Sequence, residues 1–195
     1  MKKSAHELFS IFRTYIENEN EAQMTSWPEL QQICEIKEYK KGNLIVREKQ
    51  VFTYELFLAG GTFRSYLPTR EDEQVNLNFY DAPQIVAPYF TRHINHEHIT
   101  NFEALTPCTL ILIDAEKFNR HMQKHYDLRS FAFAVLEQDA RLKTRKEAIF
   151  ISENASGRLA FFRENYPGLE NKIPQHYIAS YLGISPVSLS RLRSR

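Results

Sequence analysis

Apolar residues recur at helical spacing towards both ends of the chain and at a spacing of two in its middle. Near the N-terminus Leu8, Ile11, Phe12, Tyr15 and Ile16 follow one another at three and four, the stripe of an amphipathic helix. The run Glu17-Asn18-Glu19-Asn20-Glu21 ends it in a polar loop. Ser26-Trp27-Pro28-Glu29 predicts a second start, with Ser26 as cap and the helix running through Leu30 to about Ile33.

From about Cys34 to Ile113 the period changes to two. Leu44 and Val46 share a strand face after the turn Lys41-Gly42-Asn43. Leu56, Phe57 and Leu58 run into Ala59-Gly60-Gly61, a hairpin signal. Phe63, Ser65 and Leu67 then alternate with Thr62, Arg64 and Tyr66. After a charged turn from Pro68 to Glu73, the stretch from Gln74 to Phe79 alternates without a fault and predicts a half-buried strand. Asp81-Ala82-Pro83 is another turn, and Phe102, Ala104, Leu110 and Leu112 supply two more strands about Thr106-Pro107. Many short strands between Gly, Pro and Asp turns predict a sandwich or barrel and disfavour a parallel α/β sheet.

Helical spacing returns at Asp114, with a short helix through Phe118 and Met122 and a long one from Tyr126 or Asp127 to Phe150. In the long helix Leu128, Val135, Leu142 and Ile149 recur every seven residues, and Phe131, Gln138 and Arg145 fill the intermediate positions. This is a coiled-coil-like stripe and predicts a dimer seam, although packing within one chain uses the same spacing. A second set, Ala132, Phe133, Leu136 and Ala140, is expected to face the chain's own β domain. Ser152 to Gly157 reads as a hinge before a helix from Arg158 to about Tyr166.

The last 23 residues, Ile173 to Arg195, contain no Asp or Glu. Pro174 suits a first helical turn, Ile178 and Leu182 share one face, and Gly183 can take the left-handed conformation that ends a helix. Ser185-Pro186 restarts it, as cap and first residue. Leu189 and Leu192 give the second helix an inner face, leaving Val187, Ser188, Arg191, Ser194 and Arg195 outside. A helix-turn-helix presents such a face to a major groove, where arginine reads guanine edges and serine hydroxyls hold phosphates. An ordinary helical hairpin with a solvated basic edge shares the pattern.

Charge sharpens this picture. The 195 residues carry a net +1, so the chain as a whole is no basic nucleic-acid binder. From residue 151 onwards six Lys/Arg face three Asp/Glu, which leaves +3 on the tail and −2 on the body. Cys34 and Cys108 stand far apart among apolar residues, without zinc or C-x-x-C spacing, and read as two buried thiols in a reducing compartment. No run of about 18 apolar residues exists, and Met-Lys-Lys is not followed by an apolar stretch. A cytoplasmic location without membrane contact is therefore expected.

The closing run IPQHYIASYLGISPVSLSRLR resembles the DNA-binding ends of short-chain Crp/Fnr regulators, which often read PQxYIASYLGITPESLSRIR. YKKGNLIVREKQ and LFLAGGTFRSY are similar to the first hairpins of that family's cyclic-nucleotide-binding jelly roll. The resemblance implies an α+β chain with a sensor domain over residues 1–126, a dimerisation helix over 127–151 and a helix-turn-helix domain over 152–195. It implies a homodimer that binds an inverted repeat in double-stranded DNA, with RNA polymerase a candidate further partner. Ser188 and Arg191 fall where family members contact bases, and Ser185 where phosphate contact is usual; Pro186, Val187, Arg193 and Arg195 complete the expected interface. Val187 stands where the family typically has a glutamate that accepts from cytosine, so a shifted half-site is expected. The segment from Pro167 to Ile173 is short, and the wing of longer relatives is expected to be missing or reduced.

The same resemblance makes the phosphate-binding cassette decisive. Its Gly-Glu falls on Val86-Ala87 and its arginine pair on His98-Ile99, so the glycine, the ribose acid and the phosphate cation are all absent. Losing a charged phosphate contact removes about 1.5–3 kcal/mol, so binding of cyclic AMP in the usual way is not expected. A remodelled pocket for an unidentified small effector would be lined by Phe79, Ile85, Tyr89, Phe90, Arg92, His98 and Phe102, which equally read as core. His93, His96 and His98 are expected to be exposed loop histidines rather than ligands, and no cofactor is expected. Two cysteines cannot hold an iron–sulfur cluster of the family's kind. No G-x-S-x-G, H-E-x-x-H, P-loop or dinucleotide fingerprint is present, so an enzyme is not expected. The rival from another class is a cupin-like metal-binding β-barrel.

Overall fold

A computed structural model describes residues 3–20, 23–69, 73–86, 88, 93–95 and 97–194. The N-terminal helix α1 (Ala5–Asn20) starts in a capping box: the Ser4 N–H donates to Glu7 Oε2 (2.6 Å) and the Glu7 N–H to Ser4 Oγ (3.3 Å). Its stripe is buried as expected, at Leu8, Phe12 and Ile16. In α2 (Trp27–Gln32) Ser26 occupies the cap position without making the cap bond. Its hydroxyl donates instead to Asp127 Oδ1 at 2.8 Å, which ties this turn to the start of the long helix.

Among the described residues ten antiparallel strands follow: β1 (Cys34–Tyr39), β2 (Leu44–Val46), β3 (Tyr54–Gly60), β4 (Thr62–Pro68), β5 (Gln74–Asp81), β6 (Gln84–Ile85), β7 (His93–Ile94), β8 (Glu97–His98), β9 (Asn101–Ala104) and β10 (Cys108–Asp114). They form two sheets, ordered β1-β10-β3-β6 and β2-β9-β4-β5, and a small β7-β8 hairpin. The first sheet is covered on both faces. Leu56, Leu58, Leu110 and Leu112 point into the sandwich, whereas Phe57, Ile111 and Ile113 pack under the helices. Burial on both faces explains why β3 and β10 read as unbroken apolar runs.

Two expectations in this region are corrected. Ala59-Gly60-Gly61 does not close a hairpin, because β3 and β4 belong to different sheets. Gly61, at φ +91°, carries the chain across from one sheet to the other. The strand β5 is not simply half-buried either: Asn76 is buried and Val75 is exposed. The helical C-terminal region covers this strand, and a register shift opposite Ser65 and Tyr66 breaks the alternation.

Asp114 caps α3 (Ala115–Lys124), accepting from the Lys117 N–H at 2.9 Å. The long helix α4 spans Tyr126–Ser152. Here the expected seam divides. Leu128, Phe131 and Val135 pack in the chain's own core with α1 and β3, so this part of the stripe is already used within the chain. Gln138 and Arg145 are exposed, and Leu142 and Ile149 half-buried. Of the set expected to face the β domain, Ala132 packs against that core but Phe133 is 66% exposed. Spacing alone cannot distinguish an intrachain face from an interchain one, since both need three-and-four recurrence.

The hinge is short. Asn154 caps α5 (Ala155–Asn165) by accepting from the Ser156 and Gly157 N–H groups, so only Glu153 and Asn154 separate α4 from α5. A single 3₁₀ turn, Leu169–Asn171, stands where a wing would lie. Two helices close the chain, α6 (Gln175–Leu182) and α7 (Pro186–Arg193). Cys108 is buried and Cys34 half-buried, both as free thiols; burial pushes Cys34 up to about 12 and Cys108 up to about 11.

Candidate nucleic-acid interface and the sensor region behind it

The turn between α6 and α7 is built as its sequence requires. Gly183 adopts φ +66° and its N–H closes α6, and the Ile184 N–H donates to Ala179 O at 3.1 Å. Ser185 caps α7, accepting from the Ser188 N–H at 3.1 Å, and its hydroxyl lies 2.9 Å from that of Ser188. Leu189 is fully buried and Leu192 packs beside it. Ser185, Pro186, Val187, Ser188 and Arg191 are all exposed, Val187 to 61%.

Arg193 differs from its neighbours. Its Nε lies 2.8 Å from Glu170, which Arg163 also grips through Nε at 2.7 Å and Nη2 at 3.1 Å. The Arg163 bonds hold the Glu170 carboxyl below the usual carboxylate range. Arg193 thus bonds back to the 3₁₀ turn. Arg195 lies outside the described residues.

Sequence reasoning missed Arg158. Its Nη2 donates to Phe150 O at 2.9 Å and its Nη1 to Leu182 O at 3.3 Å, so one guanidinium closes the carbonyl ends of α4 and α6. The signal was a lone arginine in a helix, which ordinarily reads as surface.

Of the residues expected to share a pocket, Phe79, Ile85 and Phe102 lie in three different clusters, and His98 stands against Phe102. Ile85 packs under α1 and α4, Phe102 lies between the sheets, and Phe79 is buried beneath Phe162, Tyr166 and Tyr181. Tyr89, Phe90 and Arg92 lie outside the described residues, as do Ala87 and His96. Val86 is buried. His98 is no exposed loop histidine: it is 1% exposed, its Nδ1 lies 2.7 Å from Thr100 O, and its ring stands edge-on to Phe102. Two further hydrogen bonds hold it, since the His98 N–H donates to Gln50 O and its carbonyl accepts from the Lys49 N–H.

Cavities adjoin α4. One, of about 850 Å³, lies between α3, α4 and the first sheet, with Phe131, Phe133, Val86 and Pro88 among its walls. Another, of about 280 Å³, is bounded by Ser65, Tyr80, Thr100, Phe102, Lys146 and Tyr181. The cation here comes from α4: Lys146 Nζ donates to Leu77 O and sits 4.1 Å from the Tyr181 ring centroid. Burial pushes the Lys146 ammonium down to about 8 from an ordinary 10.5.

That shift has a measurable consequence. Between about 8 and 10.5 the unfolded chain holds the Lys146 proton and the folded chain has lost it, so stability rises with pH across this window. Lys146→Met removes this slope while leaving the other titrations in place. Urea unfolding of both proteins at pH 7.5 and 9 should show wild type gaining on the variant; parallel behaviour would mean that Lys146 is not buried as a cation.

The described chain thus combines a β sandwich, a long helix and a docked helix-turn-helix pair. Residues 36–125 match the family model of the cyclic nucleotide-binding domain. Among solved structures, FixK2 from Bradyrhizobium japonicum superposes with a TM-score of 0.72 at 16% identity, over 83% of this chain and 83% of that one. A transcriptional regulator of the Crp/Fnr family from Eubacterium rectale gives 0.68 at 19% identity, over 89% and 82%. The c-di-GMP responsive global regulator CLP of Xanthomonas campestris gives 0.67 at 13%, over 86% and 88%. No curated protein matches the chain in sequence. Residues 36–125 form a β domain of the cyclic nucleotide-binding type, and the chain shares its fold with these solved structures, one of them of the Crp/Fnr family. Among the described residues no helix is long and apolar enough to cross a membrane, and no three His, Cys, Asp or Glu stand where they could hold a metal ion.

Proposed function

We propose that the protein is a homodimeric, sequence-specific regulator of transcription that reads an inverted repeat in double-stranded DNA with α7. The observation that carries this reading is the face of α7. Ser185, Val187, Ser188 and Arg191 are exposed together on a helix anchored by buried Leu189, in a segment without acidic residues. Arginine supplies the base reader, the cap end of the helix supplies phosphate donors, and Val187 offers a methyl surface to thymine. Residues 1–126 act as sensor, 127–151 as dimer arm and 152–195 as reader. The buried Val86 and His98 offer a cyclic phosphate neither an open backbone approach nor a permanent cation, which supports an effector other than cyclic AMP.

The dimer contact uses the outer face of α4. Phe133, Leu136, Ala140, Glu147 and Ile151 follow at three, four, seven and four, and Phe133 and Ile151 are exposed apolar residues. Phe133 stands beside the 850 Å³ groove on the same face.

Selection of binding sites from random DNA by the purified protein tests the reading, with a chain lacking residues 174–195 as control. An enriched inverted repeat, lost with the control and weakening steeply with salt, is the expected result. No enrichment at low salt, with the dimer intact, would overturn it.

A further inference from the structure

Arg64 is 1% exposed and is among the largest fully buried side chains of the protein. It lies on β4, and its sequence context, alternating with Phe63 and Ser65, assigns it no role. Its Nε and Nη2 donate to Glu103 Oε2 on β9 at 3.0 and 2.6 Å. Nη1 donates to Asn76 Oδ1 on β5 at 2.8 Å, and Nη2 also donates to Gln74 Oε1. The two faces of the guanidinium are covered by different parts of the chain. Tyr66, on its own strand, lies 4.2 Å from it, and Tyr177, on α6, lies 3.9 Å away.

The bonds continue past Arg64 into α6. Asn76 Nδ2 donates to Tyr177 O at 3.0 Å, and the Asn76 N–H donates to Ser180 Oγ at 3.1 Å. Ser180 Oγ donates in turn to Gln74 O at 2.8 Å. One connected network therefore runs from Glu103 through Arg64 and Asn76 to α6, the first helix of the helix-turn-helix.

We propose that Arg64 is a positioning residue for DNA reading: clasped between Tyr66 and Tyr177, it fixes the angle at which α6, and with it α7, sits on the β domain. The inference rests on the proposed DNA-binding function and goes beyond it. Apolar contacts around Phe79, Phe162 and Tyr181 hold the two regions together but tolerate sliding. A buried cation held by four hydrogen bonds contributes little net stability, yet it favours one arrangement, because others leave charge unpaired. The bonds to Glu103, Asn76 and Gln74 all lie within the β domain, so that domain closes without α6. Of the groups that touch the guanidinium itself, the Tyr177 ring is the one that α6 supplies. Productive half-sites lie about one helical turn apart, roughly 34 Å, so a small change in this angle misplaces both recognition helices.

The test uses the full chain and three variants. Tyr177→Leu removes the second lid and leaves every Arg64 bond inside the β domain. Tyr177→Phe keeps the ring. Arg64→Lys keeps the charge and loses the planar fork. Each is measured for affinity to the selected inverted repeat, for discrimination against spacers one base pair longer or shorter, and for thermal midpoint. Tyr177→Leu and Arg64→Lys should lose about tenfold in affinity and most of the spacer discrimination, while Tyr177→Phe stays near wild type. Unchanged affinity and spacer discrimination in Tyr177→Leu, whatever its thermal midpoint, would overturn the proposal. If wild type itself selects no DNA, the regulator reading fails separately, and amide hydrogen exchange of Tyr177→Leu decides the clasp. Faster exchange confined to α5, α6 and α7 supports it; no change, or a change spread through β4 and β9, overturns it.

Discussion

Gly61→Ala should destabilise the protein by about 3 kcal/mol or more, a fall in thermal midpoint of about 6–12 °C for a chain of this size. Two effects add. Gly61 holds φ +91°, where an L side chain is strained. A Cβ there would also stand 2.2 Å from Pro107 O and 2.9 Å from Cys108 Cα. Both are backbone atoms, so no side chain can swing aside. The crossing between the sheets would have to open, and the Ala82 N–H bond to Gly61 O with it. Gly42 is the control, since it has φ +82° but nothing within 4 Å of the place a methyl carbon would take. Gly42→Ala should cost only about 1 kcal/mol, the backbone part alone. Equal losses for the two variants in denaturant unfolding would mean that the approach to Pro107 is looser than described.

Phe131→Ala should cost about 3–5 kcal/mol, because it empties a fully enclosed ring site in the protomer core. The loss should be the same at every protein concentration. A residue in a dimer seam behaves otherwise: its removal makes the midpoint depend on concentration, by mass action. Phe133→Glu is the companion measurement. With Phe133 66% exposed, the folded protomer should keep its circular dichroism, while sedimentation shows monomer in place of dimer. A Phe133→Glu protein that remains dimeric would place the contact elsewhere. Together the two variants separate core from seam on a single helix.

Most elements were legible because their signals are local. The stripe Leu8-Phe12-Ile16, the cap at Ser185, and Gly183 at the helix turn each need only a few neighbouring residues to act. What was not legible depends on a distant surface. Gly60-Gly61 announces a turn but cannot say which sheet the next strand joins. Leu128, Phe131 and Val135 present an apolar face without naming its partner. His98 looked like a loop residue because its strand is two residues long and its backbone partners, Lys49 and Gln50, lie far back in the sequence. Arg64 looked like an ordinary polar position on an alternating strand; its burial depends on Glu103, Asn76 and Tyr177, which the fold alone brings together. Of the expected interface, Ser185, Pro186, Val187, Ser188 and Arg191 are exposed together, whereas the bond from Arg193 to Glu170 could not be read from a basic tail.

Arg158 gives the junction between arm and reader a mechanical character. Its guanidinium joins the carbonyl ends of α4 and α6 across a two-residue link, so that link behaves as a welded elbow rather than a swivel. A torque applied along α4 is delivered to α6 and α7 with little slack. In the proposed dimer, rotation of one arm against its partner would therefore be passed on to the two α7 helices rather than lost in the link.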